Sequence, residues 1–268
     1  MKNFFCGYYF KHQKGNHTLC LIPGRSDSEK FIQVITEDFS VKLPFTHGNH
    51  FSDKGVVLNI STPELSLTGK IRYKGLHPIR YDIMGPFSLF PMECRHGIVS
   101  MNHRLEGEVV LNGKKIDFTG GKGYIEMDSG KSFPSAYTWV QANDFREDCS
   151  IMAAVAVIPM WGLKFRGCIC VIHYEGKEYR LATYLGVRVL RCTGNRIVLK
   201  QGRYLLDIRV RLRNGQSLNA PRNGKMTRTI VEAAACPADF IFYKGKKRIF
   251  FLHSEQAGFE YEYNDFTV

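Results

Sequence analysis

The sequence predicts an all-β protein with little helix, arranged as two similar antiparallel β-barrel halves in tandem. Segments rich in Val, Ile, Phe, Tyr and Leu are separated by turn dipeptides, which is the pattern of many short antiparallel strands. No segment keeps a 3.6-residue apolar period beyond about two turns, so long helices are not expected. Several short patterns also occur twice in the same order, which indicates an internal duplication.

Strand signals run along most of the chain. The predicted strand segments are residues 29–45, 105–118, 165–191, 196–213 and 239–263. The clearest hairpin signal is Asn112-Gly113, which stands between apolar residues. Asn-Gly supplies the positive φ angles that a tight hairpin turn needs, so this pair is expected to join two strands.

The repeat consists of patterns that keep their order in each half of the chain. An aromatic stretch leading to Ile-Pro occurs at residues 8–23 and again at 137–159. A lysine-rich turn and a following Gly-aromatic-acidic strand occur at 111–126 and again at 243–262. Hairpins resemble one another, so chance similarity is the alternative. The agreement in order favours a duplication.

The duplication divides the chain into an N-terminal half at 1–130 and a C-terminal half at 131–268. Each half is long enough for a barrel of about eight to ten strands, and a closed barrel leaves no open sheet edge. A barrel of that width can hold one small ligand. We therefore expect a ligand chamber inside a β-barrel.

Length and composition indicate an intracellular protein. With 268 residues, of which 44% are hydrophobic, the chain can bury a sizeable core. The sequence has no run of about 18 apolar residues, so no transmembrane helix is predicted. Residues 1–12 lack the apolar stretch of a signal peptide. The eight cysteines are scattered, as is usual for free thiols in a reducing compartment. The expected localisation is cytoplasmic.

The net charge of +12 does not identify a partner, because the basic residues are spread along the strands. We expect no nucleic acid, whereas peripheral contact with an anionic membrane stays open. Cys168 and Cys170 form the most suggestive metal pair, but strand alternation places both on one face in any case. No metal and no cofactor is predicted, and the sequence carries no signal for an oligomeric state.

Residues 123–145 join the two halves and concentrate aromatic, carboxyl and amide side chains. Strand alternation groups these side chains into two sets, each on one face. The first set is Tyr124, Glu126 and Asp128, and the second is Tyr137, Trp139, Gln141 and Asn143. Rings that stack on a ligand and amides that orient its polar head suit a cavity wall. Alternatively, the rings fill an interior and the amides satisfy backbone groups.

This segment resembles the signature of the tocopherol cyclase family, in which an acidic strand and a Gly precede Phe-Pro and then aromatic-x-Trp-x-Gln-x-Asn-x-Phe. The matching residues are Glu126, Asp128, Gly130, Phe133, Pro134, Tyr137, Trp139, Gln141, Asn143 and Phe145. Further similarities extend over most of the chain: Ile22-Pro23-Gly24, Gly85-Pro86-Phe87, Ala220-Pro221, Gly224, Met226 and Glu232.

The family is related to carotenoid hydratase-type proteins, so the resemblance implies that both halves are lipocalin-like. The plant enzymes carry a basic residue and a Trp near Met127 and Ser129, and this chain has neither. The resemblance therefore implies the fold more firmly than the substrate.

The resemblance also implies a reaction, the acid-catalysed ring closure of a prenylated quinol or related isoprenoid lipid. An acid must protonate the alkene, and a carboxyl group in an apolar chamber stays protonated because desolvation raises its pKa. The candidate acids are Glu126 and Asp128. The candidate substrate-binding residues are Tyr137 and Trp139 beside the cation, Gln141 and Asn143 at the quinol hydroxyls, and also Tyr124 and His96.

The alternative function is a non-catalytic lipocalin-like carrier of a hydrophobic ligand. A carrier needs only apolar walls and a few orienting groups, whereas paired carboxyl groups favour an enzyme. Either function implies a small lipophilic ligand as partner. Glu232, which follows Ile230-Val231, is expected to face a second cavity or to pair with an arginine.

Overall fold

The structure, a computed structural model, describes residues 3–160, 162–211 and 215–263 and is nearly all β. The first half contains β1 (Phe5–Lys14), β2 (His17–Arg25), β3 (Lys30–Ile35), β4 (Ser40–Pro44), β5 (His50–Ser52), β6 (Gly55–Ser61), β7 (Ser66–Lys74), β8 (Cys94–Leu111), β9 (Lys114–Asp117) and β10 (Lys122–Gly130). The second half contains β11 (Tyr137–Ala142), β12 (Cys149–Met160), β13 (Leu163–Tyr174), β14 (Lys177–Arg180), β15 (Arg188–Thr193), β16 (Arg196–Gln201), β17 (Tyr204–Val210), β18 (Gln216–Arg222), β19 (Lys225–Lys244) and β20 (Lys247–Tyr261). The described helices are two short 3₁₀ turns, Gly85–Leu89 and Thr183–Leu185.

The strands form two antiparallel sheets of ten strands each, with the same internal order. The first sheet runs β4-β3-β2-β1-β10-β8-β7-β6-β5, with β9 paired to β8. The second runs β14-β13-β12-β11-β20-β19-β17-β16-β15, with β18 paired to β19. The two paths match strand for strand except that the extra strand follows β8 in one half and precedes β19 in the other. This confirms the prediction of two lipocalin-like halves in tandem.

Each sheet is curled but not closed by hydrogen bonds. Among the described strands, β4 does not pair with β5, and β14 does not pair with β15. The prediction that closure removes the sheet edges is therefore wrong. Instead, one edge of the first half lies against the second half. There Ser40 Oγ donates to the backbone oxygen of Ser217 at 2.6 Å, and Gln216 Nε2 donates to that of Glu37 at 3.2 Å.

Three hydrophobic clusters explain why several strands read as continuous apolar runs. In β2, Leu19 and Leu21 pack in the core of the first half, whereas Cys20 lies in a cluster shared by both halves. In β12, Ile151 packs in the core of the second half and Met152 in the shared cluster. Strands buried on both faces lose the polar alternation of an exposed sheet. The halves are thus held together by a third apolar core.

Turn chemistry and strand lengths differ in how well the sequence predicts them. Asn112 and Gly113 adopt φ angles of 48° and 81°, as expected for the hairpin between β8 and β9. The long strands β8 and β19 begin well before the predicted segments 105–118 and 239–263, and the end of segment 196–213 lies outside the described residues.

Cys168 and Cys170 both pack in the core of the second half, which accounts for their shared strand face without a metal. No helix in the described ranges is long and apolar enough to cross a membrane.

Candidate functional site

A large cavity in the described part of the chain lies between the two halves. It encloses about 1330 Å³ of space free of atoms, part of it open to solvent, and its walls are predominantly apolar. Tyr9 and Ile22 line it from the first half, and Trp139 and Ala156 line it from the second. The prediction of a chamber inside one barrel is therefore wrong, because each interior is filled by its own core.

Two aromatic side chains in the lining of this cavity donate hydrogen bonds from one half to the other. Trp139 on β11 donates from Nε1 to Oε2 of Glu126 on β10, at 3.1 Å. Tyr9 on β1 donates from its hydroxyl to Oε1 of Glu232 on β19, at 2.6 Å. The rings of Tyr9 and Trp139 meet edge to face, with centroids 5.5 Å apart. Each half thus supplies an aromatic donor to a carboxyl group of the other.

Close packing against a glycine fixes the indole of Trp139. A Cβ atom at Gly258 on β20 would come within 2.8 Å of the Trp139 ring and 3.3 Å of Lys11 Nζ. Only a residue without a side chain allows β20 to approach the indole this closely. The glycine at position 258 therefore helps to fix where the Trp139 donor points.

His96 stands between two carboxyl groups on the wall formed by the first half. Its Nδ1 lies 3.0 Å from Oδ1 of Asp128, and its Nε2 lies 3.5 Å from Oε2 of Glu126. Burial by itself lowers the pKa of His96, but the two carboxyl groups outweigh it and raise this pKa to about 9. The imidazole is therefore protonated at neutral pH and presents N–H groups on both sides.

Glu126 accepts two side-chain hydrogen bonds at the edge of the cavity. Its Oε2 accepts from the hydroxyl of Tyr124 at 2.5 Å as well as from Trp139. Burial raises the pKa of Glu126 to about 7, and Asp128 adds to this, whereas His96 and the two donors oppose it. Glu126 therefore exchanges its proton near neutral pH, which suits a group that transfers protons.

His96, Glu126 and Asp128 also form a possible metal cluster, because each offers a ligand atom and these atoms lie within 4.8 Å of one another. A metal bound by all three would have to displace the imidazole from one of the two carboxyl groups that it bridges. A protonated imidazole already compensates the neighbouring carboxyl charge. We assign no metal to the cluster.

The wall of the second half carries another phenol–carboxyl pair. The hydroxyl of Tyr137 donates to Oε2 of Glu260, and both residues line the cavity. Burial raises the pKa of Glu260 well above its ordinary value, and Glu232 adds to the rise. Glu260 is paired with Glu232 across β19 and β20. Carboxyl groups therefore occupy both walls of the same cavity.

Glu232 is the residue whose place sequence reasoning did not identify. It lines the same cavity as Glu126 and is bonded to Tyr9, so neither a second cavity nor an arginine accounts for it. A signal was available: Glu232 is the one carboxyl residue in an otherwise apolar stretch from Ile230 to Cys236. A strand buried on both faces hides which side such a residue occupies.

The remaining predicted site residues divide into two groups. Tyr137, Trp139, His96, Glu126 and Asp128 all line the cavity. Tyr124, Gln141 and Asn143 are fully buried outside the cavity lining. Tyr124 reaches the site only through Glu126, and Asn143 Nδ2 donates to the backbone oxygen of Gly123 at 2.9 Å. The geometry gives Gln141 and Asn143 no contact with a ligand in the cavity.

The segment of residues 81–87 in the first half contributes to the cavity lining and is bonded to an arginine of the second half. Arg180 donates to the backbone oxygens of Tyr81 at 2.5 Å and Asp82 at 3.1 Å, and its guanidinium lies 3.5 Å from the centre of the Tyr81 ring. This anchor precedes Met84 and Phe87, which line the cavity.

Comparison with known proteins agrees with this architecture. Residues 9–239 match the family described as Tocopherol cyclase-like. A protein named probable tocopherol cyclase, chloroplastic, from Oryza sativa subsp. japonica is 26% identical over an alignment of 177 residues, and the match covers 61% of this chain and 37% of that protein. The matched region is thus well under two thirds of that relative's length.

Two solved structures share the fold at low sequence identity. Kievitone hydratase from Nectria haematococca has a TM-score of 0.55 and 12% identity, over 96% of this chain and 88% of its own. CghA, solved with Sch210972, has a TM-score of 0.63 and 10% identity, over 98% and 89%. Because the family match spans most of the sequence, the protein belongs to the tocopherol cyclase-like family.

Proposed function

We propose that the protein is a cyclase-type enzyme that closes a prenylated quinol, or a related isoprenoid lipid, to a chromanol-type ring. The observation that carries the proposal is the carboxyl group of Glu126, which borders a large apolar cavity and has a pKa raised to about 7 by burial. Such a carboxyl is partly protonated at neutral pH, in a place where an oily substrate can reach it.

In the proposed reaction Glu126 protonates the alkene nearest the aromatic ring of the substrate. The carbon that becomes cationic lies near the rings of Tyr9, Tyr137 and Trp139, which line the same space and whose faces attract positive charge. The ring hydroxyl then adds to this carbon and loses its proton. The product is an isomer of the substrate, so the reaction needs no cofactor and consumes no other reactant.

The His96–Asp128 pair supports the acid in this scheme. Its imidazolium lies 3.5 Å from Glu126 and stabilises the carboxylate that is left after proton donation. Asp128 keeps the imidazole in place through its 3.0 Å contact with Nδ1. Asp128 is thereby engaged as a partner of His96, and Glu126 becomes the preferred acid of the two candidates.

A carrier of a lipophilic ligand is the second candidate, because the predominantly apolar walls would suit storage equally well. The carboxyl groups favour the enzyme, since four of them line one apolar cavity: Glu126, Asp128, Glu232 and Glu260. A carrier gains nothing from the cost of burying them.

We also propose that the protein works in the cytoplasm and contacts a membrane surface peripherally.

Native mass spectrometry of protein purified without detergent, followed by addition of a prenylated hydroquinone, separates the two functions. Conversion of the quinol to a chromanol supports the enzyme, and Glu126→Gln should abolish it while leaving far-UV circular dichroism unchanged. The matched control is Glu106→Gln, which alters an exposed carboxyl group paired with Lys74. A lipid that stays bound and unchanged through many hours would support the carrier.

A further inference from the structure

We infer that Glu232 is a second proton-transfer residue of the cavity, whose Oε2 binds the ring hydroxyl of a phenolic ligand and accepts its proton. The proton-acceptor role rests on the proposed function, whereas the binding of a ligand hydroxyl does not. Glu232 belongs to β19 of the second half, whereas His96 and Asp128 belong to β8 and β10 of the first half.

The unpartnered oxygen of Glu232 is the observation that points to a ligand. Glu232 is fully buried, and Oε1 accepts the Tyr9 hydroxyl at 2.6 Å. Oε2 is buried and has no hydrogen-bond partner among the described residues, although Glu232 lines the cavity. Buried polar atoms are nearly always hydrogen-bonded, so an unpartnered carboxyl oxygen beside an apolar cavity is suited to a donor brought by the ligand.

The groups around Glu232 leave it able to change its charge. Tyr9 and Cys20 face it from β1 and β2, Lys11 from β1, and Glu260 from β20. Lys11 is itself fully buried and donates from Nζ to the backbone oxygen of Gln256 at 2.7 Å. Burial raises the pKa of Glu232 to about 7, while Tyr9 and Lys11 oppose the rise.

The environments of Glu126 and Glu232 assign opposite roles to the two residues. The carboxylate of Glu126 is stabilised by Tyr124, Trp139 and the imidazolium of His96, so Glu126 gives up a proton readily. The carboxylate of Glu232 accepts one hydroxyl and leaves Oε2 free to accept a hydrogen bond from a ligand hydroxyl. The pKa of each group lies near 7, so each can be protonated or ionised at neutral pH, and the placement of the hydrogen-bond donors assigns the acid role to Glu126 and the acceptor role to Glu232.

The proton and bond changes balance without another reactant. The proton of Glu126 forms a C–H bond with the alkene, and the ring oxygen forms a C–O bond with the carbon that carries the positive charge. The O–H bond of the phenol breaks and its proton passes to Oε2 of Glu232. After one turnover Glu126 is ionised and Glu232 is protonated, and exchange with water at the open cavity restores the starting state.

Ligand binding and turnover test the inference separately. Isothermal titration calorimetry would compare a prenylated hydroquinone with its methyl ether, in which the ring-closing hydroxyl is blocked. We expect the wild-type protein to bind the hydroquinone at least tenfold more tightly than the ether. Glu232→Gln should reduce that ratio to about one, because an amide NH₂ at Oε2 cannot accept the hydroxyl. Glu106→Gln should keep the wild-type ratio.

Turnover then tests the proton transfer. Glu232→Gln should lower kcat at least a hundredfold, and Tyr9→Phe, which removes the hydrogen bond to Oε1, should shift the acid limb of the kcat profile to higher pH. Wild-type kcat in Glu232→Gln would overturn the acceptor role while leaving the proposed function intact. If the wild-type protein forms no chromanol, the proposed function fails. The comparison with the ether still decides whether Glu232 binds the hydroxyl, and equal wild-type affinities would overturn that role.

Discussion

Trp139 and Glu126 belong to different sheets, yet the indole Nε1 of Trp139 donates to Oε2 of Glu126 at 3.1 Å. The contact ties the proposed acid of the first half to the wall of the second. The site is therefore completed only when the two halves pack together, and its geometry depends on their shared apolar cluster.

Replacing Trp139 by Phe tests this contact, because Phe keeps a ring next to Tyr9 but removes the donor. A hydrogen bond to a charged group contributes about 1.5–3 kcal/mol, so kcat/KM should fall roughly tenfold to hundredfold. The loss should appear as a higher pKa on the alkaline limb of the pH profile, since the Glu126 carboxylate loses one donor. An unchanged profile and rate would show that the Trp139 donor does not act on Glu126.

The pH dependence of kcat/KM should be bell-shaped, with its maximum near pH 7. Glu126 must be protonated, and with a pKa of about 7 it loses activity as the pH rises. Glu232 must be ionised, and with a pKa of about 7 it loses activity as the pH falls. The two limbs report the apparent pKa values of the coupled pair. Rates measured from pH 5 to 9 that do not change would contradict acid–base catalysis by these groups.

Glu232→Gln should stabilise the protein at alkaline pH relative to wild type. The pKa of Glu232 is raised by burial from 4.5 to about 7, so its stabilising protonated state is present at low pH and is lost as the pH rises through 7. The amide does not titrate. The free energy of unfolding of the variant, relative to that of the wild type, should therefore rise by about 3 kcal/mol between pH 4 and pH 8. Urea denaturation at both pH values measures it, and a constant difference would mean that Glu232 is not buried as described.

Narrowing the cavity should weaken ligand binding without unfolding the protein. Gly7 lines the cavity, and the nearest atom to a Cβ built there is 3.8 Å away. Gly7→Leu should therefore fit the strand and raise the Kd for a prenylated hydroquinone at least tenfold. Gly97→Leu is the matched control, because Gly97 is also a strand glycine whose Cβ has no atom closer than 3.7 Å, and it does not line the cavity. Equal effects of the two changes would argue against this cavity as the binding site.

The sequence predicts the fold of this chain well because β patterning and turn chemistry are local. The Asn112-Gly113 hairpin and the repeated patterns lead directly to two sheets of equal strand order. The position of the cavity, in contrast, cannot be predicted from local sequence patterns. Residues such as Ile22 and Ala156 are apolar in either case, and only the docking of the two halves decides that they line the cavity between the halves.

The site could be predicted only in part, because some of its residues are linked by local strand patterns and others are brought in by docking of the two halves. Tyr137 and Trp139 share one face of β11 by alternation, and Glu126 lies shortly before them in the sequence, so all three could be singled out together. Alternation also groups Gln141 with Trp139, but it does not show where along the strand the cavity ends. Glu232 lies far away in the sequence, and its contact with Tyr9 depends on packing between the two sheets.

The most direct measurement of the central claim is the reaction of a prenylated hydroquinone with the wild-type protein in D₂O. Proton donation from a carboxyl group that exchanges with solvent should place one non-exchangeable deuterium in the chromanol, on the carbon next to the new C–O bond. Glu126→Gln should give no product above the rate in buffer. A chromanol without deuterium, or an equal rate in the Glu126→Gln variant, would contradict proton transfer from Glu126 in the cavity between the two halves.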